Sequence, residues 1–458
     1  MAKNSSKDLT IGPPTRLILG FSLPLLLGML FQQVYSLMDT IIVGKFLNVS
    51  ALAAVGSTGR DFFGKNTGSI CFLIIGFCQG VCAGFSLPIA QRFGAKDEKG
   101  LKKFVGNSAI VSAIIAIIMT ALTILLCKNI LTWMNTPRDI YDLAYQYLIV
   151  IFAGIPATIL YNLLSGYLRS LGNSVIPVIF LIISAVLNIG LDLLFILVFH
   201  MGVFGAAFAT VLSQAISGVL CLIYIMKKIT LLHITRDDLQ LSRQYVKNLI
   251  IMGFPMGFQY SITAIGSVIL QTAVNSLGST AVASMTAASK ISMFVMCPFD
   301  ALGSTMATYS GQNVGAGEFD RVKKGLVSAS LLGSIYAVAI FVVLFFSCNY
   351  LIYMFVSPDE TEVIRQAHRF LLCNAAFYVP LVFVNTVRFA IQGMGFSGFA
   401  MFAGVAEMIA RSLVGLAFVP VFGFSAACFA SPLAWIFADS FLIPAFIHCL
   451  NKLKRTIS

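Results

Sequence analysis

Long apolar runs separated by short polar stretches organise the chain. Runs of spanning length recur at 17–49, 51–90, 104–127, 141–164, 175–199, 204–226, 246–275, 280–311, 324–348, 362–392, 399–420 and 424–450. A helix needs about 20 residues to cross the hydrocarbon core of a bilayer. The pattern therefore predicts an all-α integral membrane protein of twelve transmembrane helices, several long enough to tilt or protrude. The polar stretches differ in charge. "RFGAKDEKGLKKF", "YLRSLGNS", "MKKITLLHITRDDLQLSRQYVKN", "DRVKKG" and the tail "NKLKR" alternate with the poorer "FHMGVFG" and "PVFGFS". Basic loops stay on the cytoplasmic side, which places both termini inside the cell membrane.

The two halves repeat. "AQRFGAKDEKGLKKF" (90–104) matches "GQNVGAGEFDRVKKG" (311–325), with Gln91 against Gln312 at an offset of 221. "YLRSLGNS" matches "AIQGMGFS" at an offset of 223, and "GVFGAAFAT" matches "GFSAACFAS" at 221. Two pseudo-symmetric six-helix lobes follow, expected at 1–226 and 249–458 with a cytoplasmic linker at 227–248. Such duplication in a membrane protein points to a transporter with its site between the halves. One region breaks register. Pro24 matches Pro255 at an offset of 231, ten more than downstream, so the first half carries extra residues between Ala53 and Gln91. The polar run "RDFFGKNTG" (60–68) is the candidate, either as a bulge or break in the second helix or as external loop before a helix that starts later.

Composition sharpens this picture. Of 458 residues, 58% are hydrophobic and 10% charged, against about 25% charged in an average soluble domain; mean hydropathy is +0.92. A net charge of +12 would suit a nucleic-acid binder, but here the basic residues sit between spans and read as orientation, so no nucleic-acid partner is expected. Cys78 and Cys82 have helix-face spacing rather than zinc-site spacing and read as small buried residues. No secretory signal, nucleotide fingerprint or metal-enzyme cluster is visible, so no cofactor is expected, and this chain alone is no ATP-driven pump.

Ionisable residues within spans are few: Asp39, Asp192, Lys290, Asp300, Arg388, Glu407, Arg411 and Asp439. Each costs at least ~2.5 kcal/mol to bury and is a functional candidate. Asn188 precedes Asp192 by one turn on the same face. Thr210, on the next antiparallel helix, can reach their depth. With Asp39 these supply hard oxygen ligands suited to Na+ or to a shared proton. The second half lacks the set: Asp192 aligns with Gly415, Asn188 with Arg411, and Asp39 falls near Leu270. Glu407 and Arg411, four apart, read as a structural ion pair that can include Arg388. Lys290, Asp300 and Asp439 receive no role. Pro24 and Pro255, like Pro156 and Pro380, occupy matched helices as moving hinges or as static kinks. Gln32, Gln33, Tyr35, Met256 and Gln259, on the first helix of each repeat, are candidates for lining a substrate cleft.

The segments "LPLLLGMLFQQVYSLMDTIIVGKF", "ALAAVGS", "AQRFGAKD", "YLRSLGNS", "LNIGLDLLF", "GAAFAT" and "GQNVGAG", in this order, resemble the multidrug and toxic compound extrusion (MATE) family. The resemblance implies two lobes around a V-shaped cleft, alternating access, and export of organic cations driven by Na+ or H+. Within the DinF-type branch it implies a coupling site at Asp39, Asn188, Asp192 and Thr210, with Tyr147 in the same network and Pro24 bending on protonation. The NorM-type branch uses acids on helices 7 and 10, where this chain offers Gln259, Gln271, Asn275 and Asn385 instead. The insertion at 60–68 departs from the family pattern. A monomer is the family expectation.

The leading reading is a cation-coupled antiporter exporting amphipathic, often cationic, small molecules. A lipid-linked saccharide flippase of the same superfamily would need a more basic cleft. A membrane-embedded enzyme would need a nucleophile with its base or a metal cluster, and a sensor would need an appended output domain.

Overall fold

The computed structural model describes residues 7–47, 68–133 and 136–457. The helices are Pro14–Phe46 (α1), Gly68–Gly94 (α2), Glu98–Trp133 (α3), Tyr141–Ala153 (α4), Ile155–Ser170 (α5), Val175–Leu193 (α6), Gly202–Lys228 (α7), Arg243–Asn275 (α8), Ser279–Gly315 (α9), Phe319–Ile352 (α10), Thr361–Ala376 (α11), Tyr378–Gly393 (α12), Ser397–Leu413 (α13), Val419–Phe422 (α14) and Phe424–Ile457 (α15). Among the described residues, ten spans are long and apolar enough to cross a bilayer. Two bent pairs, α4/α5 at 43° and α11/α12 at 53°, complete twelve. Both bends sit at a residue shortly before Pro156 or Pro380, Gly154 in one repeat and Phe377 in the other, because proline withholds a backbone donor and clashes with the preceding turn. The repeats share a second irregularity: α6 runs into a π-helical turn at Leu194–Val198 and α13 into one at Val414–Phe418. The extra residues expected between Ala53 and Gln91 fall mostly on 48–67, outside the described residues; from Gly68 to Gly94 the chain is helical.

The first helix of each repeat is shared between the lobes. Leu17, Ile18, Phe21 and Leu25 at the start of α1 are buried in the core of the second repeat, whereas Ile42 and Val43 near its end join a cluster with Val150, Ile196 and Val203 of the first. The mirror arrangement holds for α8: Leu249 lies in the first repeat's core, and Leu270 and Val274 lie in the second's. Pro255 falls between its helix's two attachments, and Pro24 lies within the first attachment of α1, between Phe21 and Leu25.

The lobes meet through backbone contact. Along α2 and α8, Gly80 and Gly84 face Gly253 and Gly257; a Cβ on Gly84 would lie 2.5 Å from the Gly253 Cα. This small-residue spacing lets antiparallel helices approach where lipid supplies no hydrophobic drive. At the end carrying the chain termini, α2 crosses α9. A Cβ on Gly94 would land on the Gln312 carbonyl, and one on Gly315 on the Gln91 carbonyl. The two glutamines then bond reciprocally across the lobes: Gln91 Nε2 donates to Gly393 O at 2.9 Å and Gln312 Nε2 to Ser170 O at 2.8 Å. The segment before α1 ties the same end. Lys7 N donates to Leu171 O at 3.1 Å, Leu9 N to Gln312 Oε1 at 2.8 Å, and Arg321 Nη2 to Gly12 O at 2.9 Å.

Inside the second repeat, Glu407 on α13 accepts hydrogen bonds from Arg388 of α12 and, at 3.2 Å, from Arg411. All three side chains are buried. Asp439 of α15 presents a buried Oδ1 that no described group satisfies.

Three outcomes follow for the folded protein. Glu407→Ala leaves two guanidiniums buried without their shared carboxylate and is expected to cost about 3–5 kcal/mol, read as a large drop in the melting temperature of the detergent-solubilised protein; an unchanged melt contradicts the pairing. Gly84→Leu is expected to abolish the α2–α8 approach and the yield of folded protein. Gly190→Ala on α6, where a Cβ meets nothing within 4 Å, should be neutral or gain up to about 1 kcal/mol from helix propensity.

Candidate functional site

Two carboxylates meet in the first repeat. Asp39, near the end of α1, and Asp192, near the end of α6, face each other within hydrogen-bonding reach. Asp192 and Asn188 are fully buried. The hydrogen-bond network assigns the Asn188 amide: its nitrogen donates to Asp192 Oδ2 at 3.1 Å and its oxygen accepts from Thr210 N at 3.2 Å. Thr210 Oγ1 also lies against Ala206 O at 3.2 Å and in reach of the Tyr35 hydroxyl. One oxygen of each acid, Oδ1 of Asp39 and of Asp192, is buried with no hydrogen-bond partner among the described residues. Two acids facing each other, each with an unsatisfied oxygen, form an arrangement that a proton or a small cation completes. The π-turn at Leu194–Val198 begins two residues beyond Asp192, and such turns cluster at functional sites.

The sequence-predicted residues distribute unevenly around this centre. Asp39, Asn188, Asp192 and Thr210 come together. Tyr147 is buried beside them among Ile42, Val43, Val150 and Ala206. Tyr35, expected in a cleft between the lobes, is one turn before Asp39 and hydrogen-bonds Thr210; the four-residue spacing to Asp39 was the available signal. Gln32 lines a cavity inside the first repeat, and Gln33 reaches Cys297 of α9. Met256 and Gln259, expected in the cleft, are both buried. Met256 is buried between Leu87 and Ala307 because Gly80 brings α2 onto its backbone. Gln259 is buried and accepts from Gln392 Nε2 at 2.6 Å.

The cavity next to the acids has a volume of about 170 Å3 and lies between α1, α2, α5, α6 and α7. Tyr35 belongs to both its wall and the acid site. Its other polar walls include Gln79, Asn162, Ser165, Arg169 and Ser184. At the repeat offsets these positions correspond to Asp300, Asn385, Arg388, Gln392 and Glu407. Where the first repeat has Ser165 and Ser184 and open space, the second has Arg388 and Glu407 in an ion pair. Where the first has Gly28 and Arg169, the second has Gln259 and Gln392 bonded to each other. The asymmetry seen in the sequence at Gly415 therefore extends through the lobe interiors. The first repeat keeps a polar cavity beside two acids, and the second fills the matching volume with its own charges.

Comparison with known proteins agrees with the duplication. The MatE family model matches residues 24–194 and 255–421, one match on each repeat. The probable multidrug resistance protein YpnP of Bacillus subtilis (strain 168) is 30% identical over 384 residues, 83% of this chain and 82% of that protein. The probable multidrug resistance protein YoeA of the same organism is 28% identical over 366 residues, 78% of this chain and 77% of that one. A crystal structure of MATE in complex with MaL6 superposes with a TM-score of 0.89 at 23% identity, over 99% of this chain and 100% of that one. The twelve spans, their duplication and the match on each half lead to one conclusion: this chain is a membrane transporter and belongs to the MatE family.

Proposed function

We propose that the protein is a secondary antiporter, exporting amphipathic and cationic small molecules against inward flow of Na+ or H+. The observation that carries this reading is the meeting of Asp39 and Asp192 with Asn188 and Thr210. Two carboxylates at hydrogen-bonding distance in a low-dielectric interior do not both stay ionised unless a cation joins them. With one proton they share it. With Na+ they act as hard oxygen ligands, and turning the Asn188 amide would exchange its N–H donor for a carbonyl ligand. The same residues thus serve either ion, with Tyr147 and Tyr35 closing the site.

Coupling then runs through α1. This helix carries Asp39, the cavity residues Gly28, Gln32 and Tyr35, and, around Pro24, the segment packed in the opposite lobe. Discharging Asp39 removes repulsion against α6, and Pro24 is the point at which α1 can bend while its start stays anchored; Pro255 plays the matching part in α8. Bending would reshape the cavity as the ion is bound or released, which is alternating access driven by charge. The lobes divide at the 227–248 segment, both termini face the cytoplasm of the cell membrane, and the protein works as a monomer in the lipid bilayer. The names of YpnP and YoeA, as probable multidrug resistance proteins, support small-molecule substrates.

The test is ethidium efflux from proteoliposomes under separately imposed Na+ and pH gradients. Wild-type protein is expected to respond to at least one gradient. Asp39→Asn and Asp192→Asn should each reduce gradient-driven efflux to the level of empty liposomes without loss of folded protein, and Thr210→Ala should reduce it less. Full activity in both acid variants rejects the mechanism.

A further inference from the structure

The second repeat carries an apolar groove that stays open among the described residues. α10 and α15 form its walls and α12 its floor, with Leu326, Val327, Leu331, Phe383, Ile443 and Ile447 lining a volume of about 410 Å3. Its polar lining is Ser330 and Ser334, and the Ser330 and Thr386 hydroxyls bond each other at 3.1 Å. Val327, in the wall, is 61% exposed.

One end of this groove is basic. Lys454 of α15 meets Asp320 of α10 at 2.7 Å, which joins the end of one helix to the start of the other. Seven residues inward from that pair stand Val327 and Ile447, and eleven inward stand Leu331 and Ile443, all four in the groove. Spacings of seven and eleven return to one face of a helix. Lys323 and Lys324 precede Val327 by four and three residues, so they stand one turn outside the groove on its own face, and both are exposed. Arg455 adjoins Lys454. The acids on this stretch are Glu318 and Asp320, and Lys454 already engages Asp320.

The first repeat shows how the matching groove is closed. At the repeat offset of 221, Val327 corresponds to Gly106, and Lys323 and Lys324 to Lys102 and Lys103. There the chain itself lies over the surface. α7 stops at Lys228, and the turn Thr230–Leu232 packs against α3 and α7 with Leu232 buried. A Cβ on Gly106 would lie 2.2 Å from the Asp238 carbonyl oxygen. The buried Asn107 donates to Gln240 O at 3.2 Å and accepts from Ser242 N at 3.0 Å. In the second repeat α15 continues as helix past the matching Cys449 to Ile457 instead of turning back, and Val327 is left uncovered where Gly106 is not.

We propose that the α10–α12–α15 groove binds one anionic phospholipid, with an acyl chain along the apolar walls and the phosphate held by Lys323 and Lys324. Charge selects this occupant: a basic mouth at a membrane surface attracts anionic headgroups, and the apolar stripe begins one turn deeper, where the acyl chain does. A zwitterionic lipid fills the same volume but brings its own cation against the lysines. The lipid closes in the second repeat what the linker closes in the first. The inference uses neither Asp39 nor Asp192 and stands apart from the coupling mechanism.

Native mass spectrometry of the purified full-length protein, titrated with palmitoyl-oleoyl phosphatidylglycerol or phosphatidylcholine, tests it. The first phosphatidylglycerol is expected to bind about tenfold or more tighter than the first phosphatidylcholine, given roughly fivefold for each lysine beside a headgroup. Lys323→Gln combined with Lys324→Gln should bring that ratio close to one, whereas Lys102→Gln combined with Lys103→Gln, at the covered surface, should leave it unchanged. In nanodiscs, a phosphatidylglycerol carrying a diazirine in its acyl chain is expected to label the wild-type peptides that hold 326–334 and 443–447. Thermal melts report whether each variant is folded, and the wild-type ratio and labelling decide the matter without them. Equal affinity for the two lipids, equal loss of preference in both double variants, labelling concentrated on other helices, or a dimer whose interface covers these residues overturns the proposal.

Discussion

Compensation of charge inside a bilayer constrains everything else in this molecule. The hydrocarbon core offers no water to an ionised group, so each intramembrane charge must find its partner within the bundle. The two repeats meet that demand in opposite ways. The second holds Glu407 between Arg388 and Arg411, a set that gives the acid two partners and fills its own volume. The first brings Asp39 to Asp192, a set in which each acid keeps one oxygen that no described side chain satisfies. A duplicated architecture has been divided between a half in which a buried acid sits between two guanidiniums and a half in which two acids face each other. The half with the facing acids also retains the cavity.

That division follows from small residues as much as from charged ones. Ser165 and Ser184 line a cavity where Arg388 and Glu407 take up the matching volume, and Gly28 lets α6 approach through Val178. Meanwhile Gly84 and Gly253 spend no volume at the contact between the lobes, so α2 and α8 touch along their backbones. Space is thus withheld at the seam and provided in the interior of one repeat. Shared helices link these regions: α1 begins in one core and ends in the other, so a change at Asp39 acts on a rod whose far end belongs to the opposite lobe.

Much of this was legible in the sequence because the signals are local. Span number follows from run length, the bends near Gly154 and Phe377 from Pro156 and Pro380, and the Glu407–Arg411 pair from four-residue spacing. The juxtaposition of Asp39 with Asp192 was also accessible, since a lone acid in an apolar run demands a partner and few candidates exist. The positions of Met256 and Gln259 were not. Helices such as α2 and α8 are apolar on nearly every side, so periodicity does not tell a cleft face from a buried one. The π-turns leave no clear mark in composition, and the region around 60–68 lies outside the described residues.

The reciprocal bonds of Gln91 and Gln312 carry a kinetic consequence. Each glutamine grips the end of a helix in the other lobe, and the two grips are images of one another. Neither lobe can swing away at this end by releasing one of them, because the second still spans the seam. Separation has to break both together with the bonds from Lys7 and Leu9, at a net cost of about 1 kcal/mol for each bond. Such a fastening behaves as an all-or-none latch rather than a gradual hinge. Ser170, one of its two anchors, directly follows Arg169, so the floor of the cavity and the latch are neighbouring links of the same helix end.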